Sequence, residues 1–244
     1  MSDSAVNIDI LVAHRGLQSS CPENTILALE QAIHKGAIAI ELDIQFSAEC
    51  LPVIYHDPDL MRVSGIEGNV WDYSLKELLT IPAYEPQRLG NRFKTETIAP
   101  LEALVDLLKE NPQVTAFVEL KEDSIAHCGR VLMLERVMNI LASVKKQTVL
   151  ISYDYLLVKA ARKAQWGKVG VVLKKWKDLE TDTVKDITAD YTFVDHKKLP
   201  QQITNLDAIN GVLVAYEVGD IRLGKELIKK GVSMLETFEL EQLS

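Results

Sequence analysis

The chain has 244 residues, 47% of them apolar and 25% charged, a balance that excludes disorder and supports a substantial buried core. Its 27 Lys and Arg against 35 Asp and Glu leave a net charge of −8. An acidic balance argues against general nucleic-acid binding, which needs a basic face, but it leaves room for a phosphorylated ligand held by a few local cations.

The opening MSDSAVNIDI lacks the basic n-region and cleavage pattern of a secretory signal. A first candidate strand, Ile8–Ala13, runs directly into His14-Arg15-Gly16, and an amphipathic helix follows over Thr25–Lys35. The second strand, Ala37–Ile44, contains Glu41-Leu42-Asp43. The interval from about 47 to 99 then departs from the pattern and reads as an insertion, with a short extended piece, LPVIYHD, delivering His56-Asp57. Regular alternation resumes with a helix over Leu101–Lys109, a strand over Val114–Glu119 leading to Lys121, and a long helix over Ile125–Ser143. Strands follow at Thr148–Ser152, Val169–Leu173, Tyr191–Val194, Val212–Tyr216 and Val232–Leu235, with helices over Tyr155–Ala164 and Ile221–Lys230. No apolar run approaches the ~18–20 residues that span a bilayer.

Continuous apolar strands alternating with helices point to a parallel sheet covered by helices. From the fourth strand onward the strand starts recur about every 20 residues, the length of one strand, one short helix and two loops. Eight such units predict an α/β fold, a (β/α)8 TIM barrel with a small insertion after strand 2, in one domain over residues 1–244. The competing doubly wound sheet needs a glycine fingerprint in its first turn, and HRGLQSSCPEN does not fit GxGxxG.

Ionisable residues collect at the carboxyl ends of the early strands, where such barrels place their chemistry. Side chains two apart on a strand share a face, so Glu41 and Asp43 point the same way, as do Glu119 and Lys121. Two carboxylates on one face of a buried strand repel unless a cation sits between them. With Glu119 on the neighbouring strand they form an all-oxygen cluster suited to Mg²⁺ or Ca²⁺ rather than zinc. His34, His127 and the tryptophans Trp71, Trp166 and Trp176 read as surface or packing residues, and Asp195-His196 as a candidate border of the mouth. The cysteines Cys21, Cys50 and Cys128 are too few and scattered for a disulfide framework or a zinc knuckle, so cytoplasmic residence is the default expectation.

The run AHRGLQSSCPENTILALEQAIHKGAIAIELDIQFSAECLPVIYHDPDLMRVSGIEGNVWD resembles the signature of the glycerophosphodiester phosphodiesterase family: HRG, PENT, ExD, PV.HD, then an arginine and a glycine-rich stretch. RLGNRFKTETIAPLEALVDLL, FVELK and SYD continue it. The resemblance implies a TIM barrel in which His14 and His56 are the general acid/base pair and Arg15 contacts the phosphate. It makes Glu41, Asp43 and Glu119 ligands of a divalent metal ion, Mg²⁺ or Ca²⁺. Glu23 and Asn24 match the loop that organises phosphate and metal, and Lys121 faces the same anionic centre. Where many members have Trp-Thr-Val-Asn after strand seven, this chain has Tyr216-Glu217-Val218-Gly219, which assigns Tyr216 to the alcohol or glycerol part of the substrate. The final VSMLETFELEQLS also lacks the usual aspartate-proline ending. The implied activity is metal-dependent hydrolysis of small-molecule glycerophosphodiesters to sn-glycerol 3-phosphate and an alcohol. The alternatives are a lysophospholipase D with the same chemistry, or a barrel that binds phosphorylated ligands without turnover.

Overall fold

The structure, a computed structural model, describes residues 5–203 and 209–244. The first four residues of the opening segment lie outside the described residues. Among the described residues ten strands are seen: β1 (Leu11–Ala13), β2 (Ala39–Phe46), β3 (Pro52–Ile54), β4 (Ala99–Pro100), β5 (Thr115–Leu120), β6 (Thr148–Ser152), β7 (Lys168–Val172), β8 (Tyr191–Asp195), β9 (Val212–Tyr216) and β10 (Met234–Thr237). Eight of them pair in parallel in the order β1-β10-β9-β8-β7-β6-β5-β2, and an Ala13–Ile40 pairing between β1 and β2 closes the ring. This is the expected (β/α)8 barrel.

The barrel is filled by side chains such as Val12, Phe117, Val149, Val172 and Phe193, each at most 2% exposed. A larger apolar layer, including Leu29, Leu104, Met133 and Leu157, joins the outer strand faces to the helices. The helices start where local chemistry satisfies free backbone N–H groups. Thr25 caps Ile26–His34, Asp154 caps Tyr155–Lys163, and Asp220 caps Ile221–Lys229.

The insertion is a small unit with its own packing. β3 lies antiparallel on the end of β2, β4 lies antiparallel on β3, and Val53, Tyr55, Leu60, Val70 and Leu78 form a separate cluster. The short helices between β3 and β4 support that cluster above the carboxyl end of the barrel.

Several expected boundaries move for identifiable reasons. Ile8–Ile10 is a 3₁₀ turn rather than strand, because the Asn7 side chain accepts from the Asp9 N–H and caps it. The long helix expected over Ile125–Ser143 is broken at Gly129, whose φ of +73° divides Ile125–Cys128 from Arg130–Leu141. The last strand runs on to Thr237, which brings Glu236 inside the barrel beside Val12. The cysteines, read as too few and scattered for a disulfide framework, nevertheless include one pair: Cys50 and Cys128 form a disulfide across 78 residues of sequence. β2 and β5 are neighbours in the sheet, so the segments that follow them meet. Cys21 remains a free, buried thiol.

Candidate active site

β1 ends at the mouth and the chain turns sharply there. Arg15 has φ +54° and Gly16 φ +83°. A Cβ on Gly16 would lie 2.5 Å from the Ala28 carbonyl carbon, so only glycine allows this turn to sit against the following helix. The turn aims His14 and Arg15 inward, and the Arg15 N–H donates to the Glu41 carboxylate.

In-register pairing of β2 with β5 sets Asp43 beside Glu119. Carboxylate oxygens of Glu41, Asp43 and Glu119 all lie within 4.8 Å of one another, and all three residues are buried. Lys121 reaches back from the end of β5, its Nζ 2.9 Å from Glu119 and 3.3 Å from Asp43. Asn24 holds Asp43 reciprocally: its Nδ2 donates to the Asp43 carboxylate at 2.9 Å, and its Oδ1 accepts from the Asp43 N–H at 3.0 Å. Arg15 Nε lies 3.1 Å from the same carboxylate.

Electrostatics divides the carboxyls. Burial pushes Glu41 well above the usual carboxylate range, and the neighbouring Asp43 and Glu236 charges push it further. Glu119 is raised by burial too, against the pull of Lys121. Asp43 is also penalised by burial, yet Lys121, His56 and Arg15 outweigh that and hold it below its ordinary value. Such repulsion among close oxygen donors is what a divalent cation relieves, so the residues present fit a hard ion such as Mg²⁺ or Ca²⁺.

The two histidines come from different supports. His14 is enclosed, with Nε2 3.3 Å from Glu236 and 3.9 Å from Glu41. Burial, then the Arg15 charge, lowers its pKa to about 3, so its imidazole is neutral. His56 is delivered by the insertion just after β3. Its Nδ1 faces the Asp57 carboxylate, which also takes two donors from Arg62. The buried Gln45 donates to the His56 carbonyl and accepts from Ser124, tying the His56 backbone to the segment after β5.

All ten residues singled out from sequence cluster at this end of the barrel. His14, Arg15, Asp43, His56, Glu119, Lys121 and Tyr216 line one cavity of about 200 Å³. Glu41 sits beneath it against His14 and Arg15. Glu23 is set back: Arg15, Arg62 and Gln18 all donate to its carboxylate. Burial opposes its charge, but the Arg62 and Arg15 contacts prevail and bring its pKa down to about 2. Among the residues set aside, Asp195 accepts from the Lys197 N–H and caps the turn after β8, while His127 Nε2 meets the Ala48 carbonyl.

Sequence reasoning missed three contributors. Glu236 stands alone in an apolar strand end, Tyr153 was an unremarked part of SYD, and Arg62 carries only the signal of its place in the family-like run. Tyr153 and Tyr216 bridge β6 and β9 with a 2.6 Å hydroxyl–hydroxyl hydrogen bond.

A closed parallel barrel with histidines, basic side chains and inward carboxylates gathered at its carboxyl-end mouth defines the class: a (β/α)8 barrel with an ionisable cluster at its mouth. Residues 14–230 match the glycerophosphoryl diester phosphodiesterase family, and the chain belongs to that family. Glycerophosphodiester phosphodiesterase 1 of Bos taurus is 35% identical over 111 residues, covering 45% of this chain and 33% of the relative. A glycerophosphodiester phosphodiesterase of Bacillus altitudinis is 33% identical over 123 residues, covering 49% of this chain and 48% of the relative. These curated relatives are thus matched over a third to a half of their length. Among solved structures, a phosphodiesterase of Oleispira antarctica in complex with the product sn-glycerol-3-phosphate is similar at a TM-score of 0.82. It is 21% identical, with 96% of this chain and 94% of that one covered, a likeness of fold. Among the described residues no helix is long and apolar enough to cross a membrane.

Proposed function

We propose that this chain is a metal-dependent hydrolase of glycerophosphodiesters, a phosphoric diester hydrolase releasing sn-glycerol 3-phosphate and an alcohol. One observation carries the reading: two histidines from separate elements face a single small cavity that also holds Arg15, Lys121 and the inward carboxylates. Glu41, Asp43 and Glu119 would hold Mg²⁺ or Ca²⁺, which when bound supplies positive charge to the phosphate and orients it.

The protein's own groups do the rest. Arg15 and Lys121 offset the charge that builds on the non-bridging oxygens during in-line displacement. His14, neutral in its enclosed position, takes the proton of the attacking oxygen. His56 gives a proton to the leaving alkoxide, its ring oriented through Nδ1 by Asp57. Asn24 fixes the Asp43 carboxylate, and Glu23 fixes the Arg15 and Arg62 guanidiniums. Tyr216 contacts the ester arm on the far side of the cavity. The small volume favours an acyl-free diester over a lysophospholipid, the substrate of a lysophospholipase D.

The same reading takes residues 1–244 as one barrel domain with its insertion at about 47–99, acting on a small molecule without nucleic acid. It places the protein in the cytoplasm. Set against that is the Cys50–Cys128 pair, since disulfides persist mainly in oxidising compartments. Alkylation of thiols at cell lysis reads the redox state directly.

The test is glycerol 3-phosphate release from glycerophosphocholine and glycerophosphoethanolamine with Mg²⁺, with Ca²⁺ and with EDTA. Metal-dependent release that vanishes in His14→Ala supports the reaction and the site together. Binding of the diesters without release under any metal would leave a phosphate-binding barrel instead.

A further inference from the structure

Outside the cavity, a second set of metal-binding atoms comes together. The sulfurs of Cys50 and Cys128 and a ring nitrogen of His127 lie within 4.8 Å of one another. None of the three residues lines the cavity. Cys50 belongs to the β2–β3 connection, while His127 and Cys128 end the short helix Ile125–Cys128 after β5.

The local chain presents these atoms from two sides. Cys50 stands at φ +57° in a turn closed by its own N–H on the Ser47 carbonyl. Gly129, at φ +73°, ends the helix immediately behind Cys128. The group has an open outer side, since Cys50 is buried and His127 exposed. The His127 ring is already oriented. Its Nε2 meets the Ala48 carbonyl at 3.2 Å, and a carbonyl only accepts, so the ring proton sits on Nε2. In the neutral ring Nδ1 is then the nitrogen with a free lone pair. Donation through one nitrogen to a backbone carbonyl is how metal-ligating histidines are commonly fixed.

This donor set differs from that of the mouth. The carboxylates there suit a hard ion, whereas two thiolates and an imidazole suit a softer one, with water completing the tetrahedron. In the oxidised protein the two sulfurs are bonded to each other and offer no thiolate. A reducing compartment, as the cytoplasmic reading implies, keeps the thiols open, and there such cysteines point to metal binding or catalysis rather than to a disulfide.

We propose that the reduced protein binds Zn²⁺ through Cys50, Cys128 and His127, and that the ion fastens the β2–β3 connection to the segment after β5 when the disulfide is open. A dithiol reductant passes two electrons and two protons to the Cys50–Cys128 bond and is itself left as a disulfide. Zn²⁺ then displaces both thiol protons to solvent as the two Zn–S bonds form. Disulfide and ion exclude each other.

The test uses Co²⁺, which reports thiolate ligation by a sulfur-to-metal charge-transfer band. The full chain is reduced with a phosphine, kept free of oxygen, and titrated in excess Mg²⁺, which competes for carboxylates but not for thiolates. The expected result is a single charge-transfer site per chain, bleached by Zn²⁺, which binds such donors more tightly than Co²⁺. The oxidised protein, which carries no substitution, should show no band, and neither should Cys50→Ser. His127→Ala should weaken Zn²⁺ binding by at least about tenfold. A reduced native chain without the band overturns the site. A band that survives in the oxidised protein or in Cys50→Ser overturns it too, because its sulfur is then the free thiol of Cys21. Unchanged affinity in His127→Ala also overturns it, since the three-ligand group is then not what holds the ion. No turnover is measured, so the outcome is independent of the hydrolase reading.

Discussion

His56 and Glu23 illustrate two ways a single side chain can matter at this mouth. His56 stands on the insertion, partly exposed, with its ring held by Asp57 rather than built into an apolar cluster. His56→Ala should therefore lose about 10²–10⁴-fold in kcat, the usual range for a missing general acid or base, with an unchanged melting temperature. A fully active His56→Ala protein would remove the acid/base assignment. Glu23 is the reverse case, buried and bound by Arg15, Arg62 and Gln18. Its folded-state pKa of about 2 lies below its unfolded value, so its contribution is present above the unfolded pKa of about 4.3 and disappears as pH falls toward 2. The linkage is worth up to about 3 kcal/mol. Denaturant titrations across pH 5 to 2 should find stability falling more steeply in the native chain than in Glu23→Gln. Parallel curves for the two proteins would contradict it. The motif residues were legible because each departs from its surroundings: a charged residue inside a buried apolar strand, or a histidine at a strand end. Glu236 was not legible, since its role depends on a strand end two residues further along than periodicity suggests.

At the scale of elements, the strands were readable wherever apolar runs were continuous, and the errors fall where a local device competes. Asn7 caps a 3₁₀ turn out of residues hydrophobic enough for a strand, and Gly129 breaks a segment whose apolar pattern continues across it. The Cys50–Cys128 bond was invisible because it depends on β2 and β5 being adjacent, which no local pattern reports. This bond fastens the β2–β3 connection, just ahead of the strand that leads to His56, to the segment after β5 that carries Ser124 and, through it, Gln45. Closing a loop of 78 residues restricts the unfolded chain by about 4 kcal/mol in the chain-entropy account. Cys50→Ser with Cys128→Ser should accordingly melt roughly 10 °C lower than the oxidised protein. Adding a dithiol reductant should lower the native protein to the same point and leave the double variant unaffected. A reductant effect on both proteins alike would mean the bond is not what is being broken.

The whole molecule is built so that its least comfortable region is its mouth. Glu41, Glu119 and Glu236 are buried together and each is pushed above its ordinary range, a cost carried by the packed barrel and its helices rather than by any local gain. Binding an ion to the folded state alone stabilises it by mass action, about 2.7 kcal/mol at a hundredfold excess over Kd. For a chain of this size that is roughly 5–10 °C in melting temperature. Mg²⁺ or Ca²⁺ should therefore raise the melting temperature of the chelator-treated protein, and EDTA should reverse the change. Glu41→Gln sharpens the argument because two effects of opposite sign are expected from one substitution. The neutral amide removes a buried like charge and still accepts the Arg15 N–H, so the ion-free variant should melt no lower than the native chain and somewhat higher if repulsion dominates. The same substitution removes an ion ligand, so the metal-induced rise should shrink or vanish. A Glu41→Gln protein that keeps the full rise would show that the ion binds elsewhere, whereas one that melts lower without metal would show that the Glu41 charge is already compensated by Arg15.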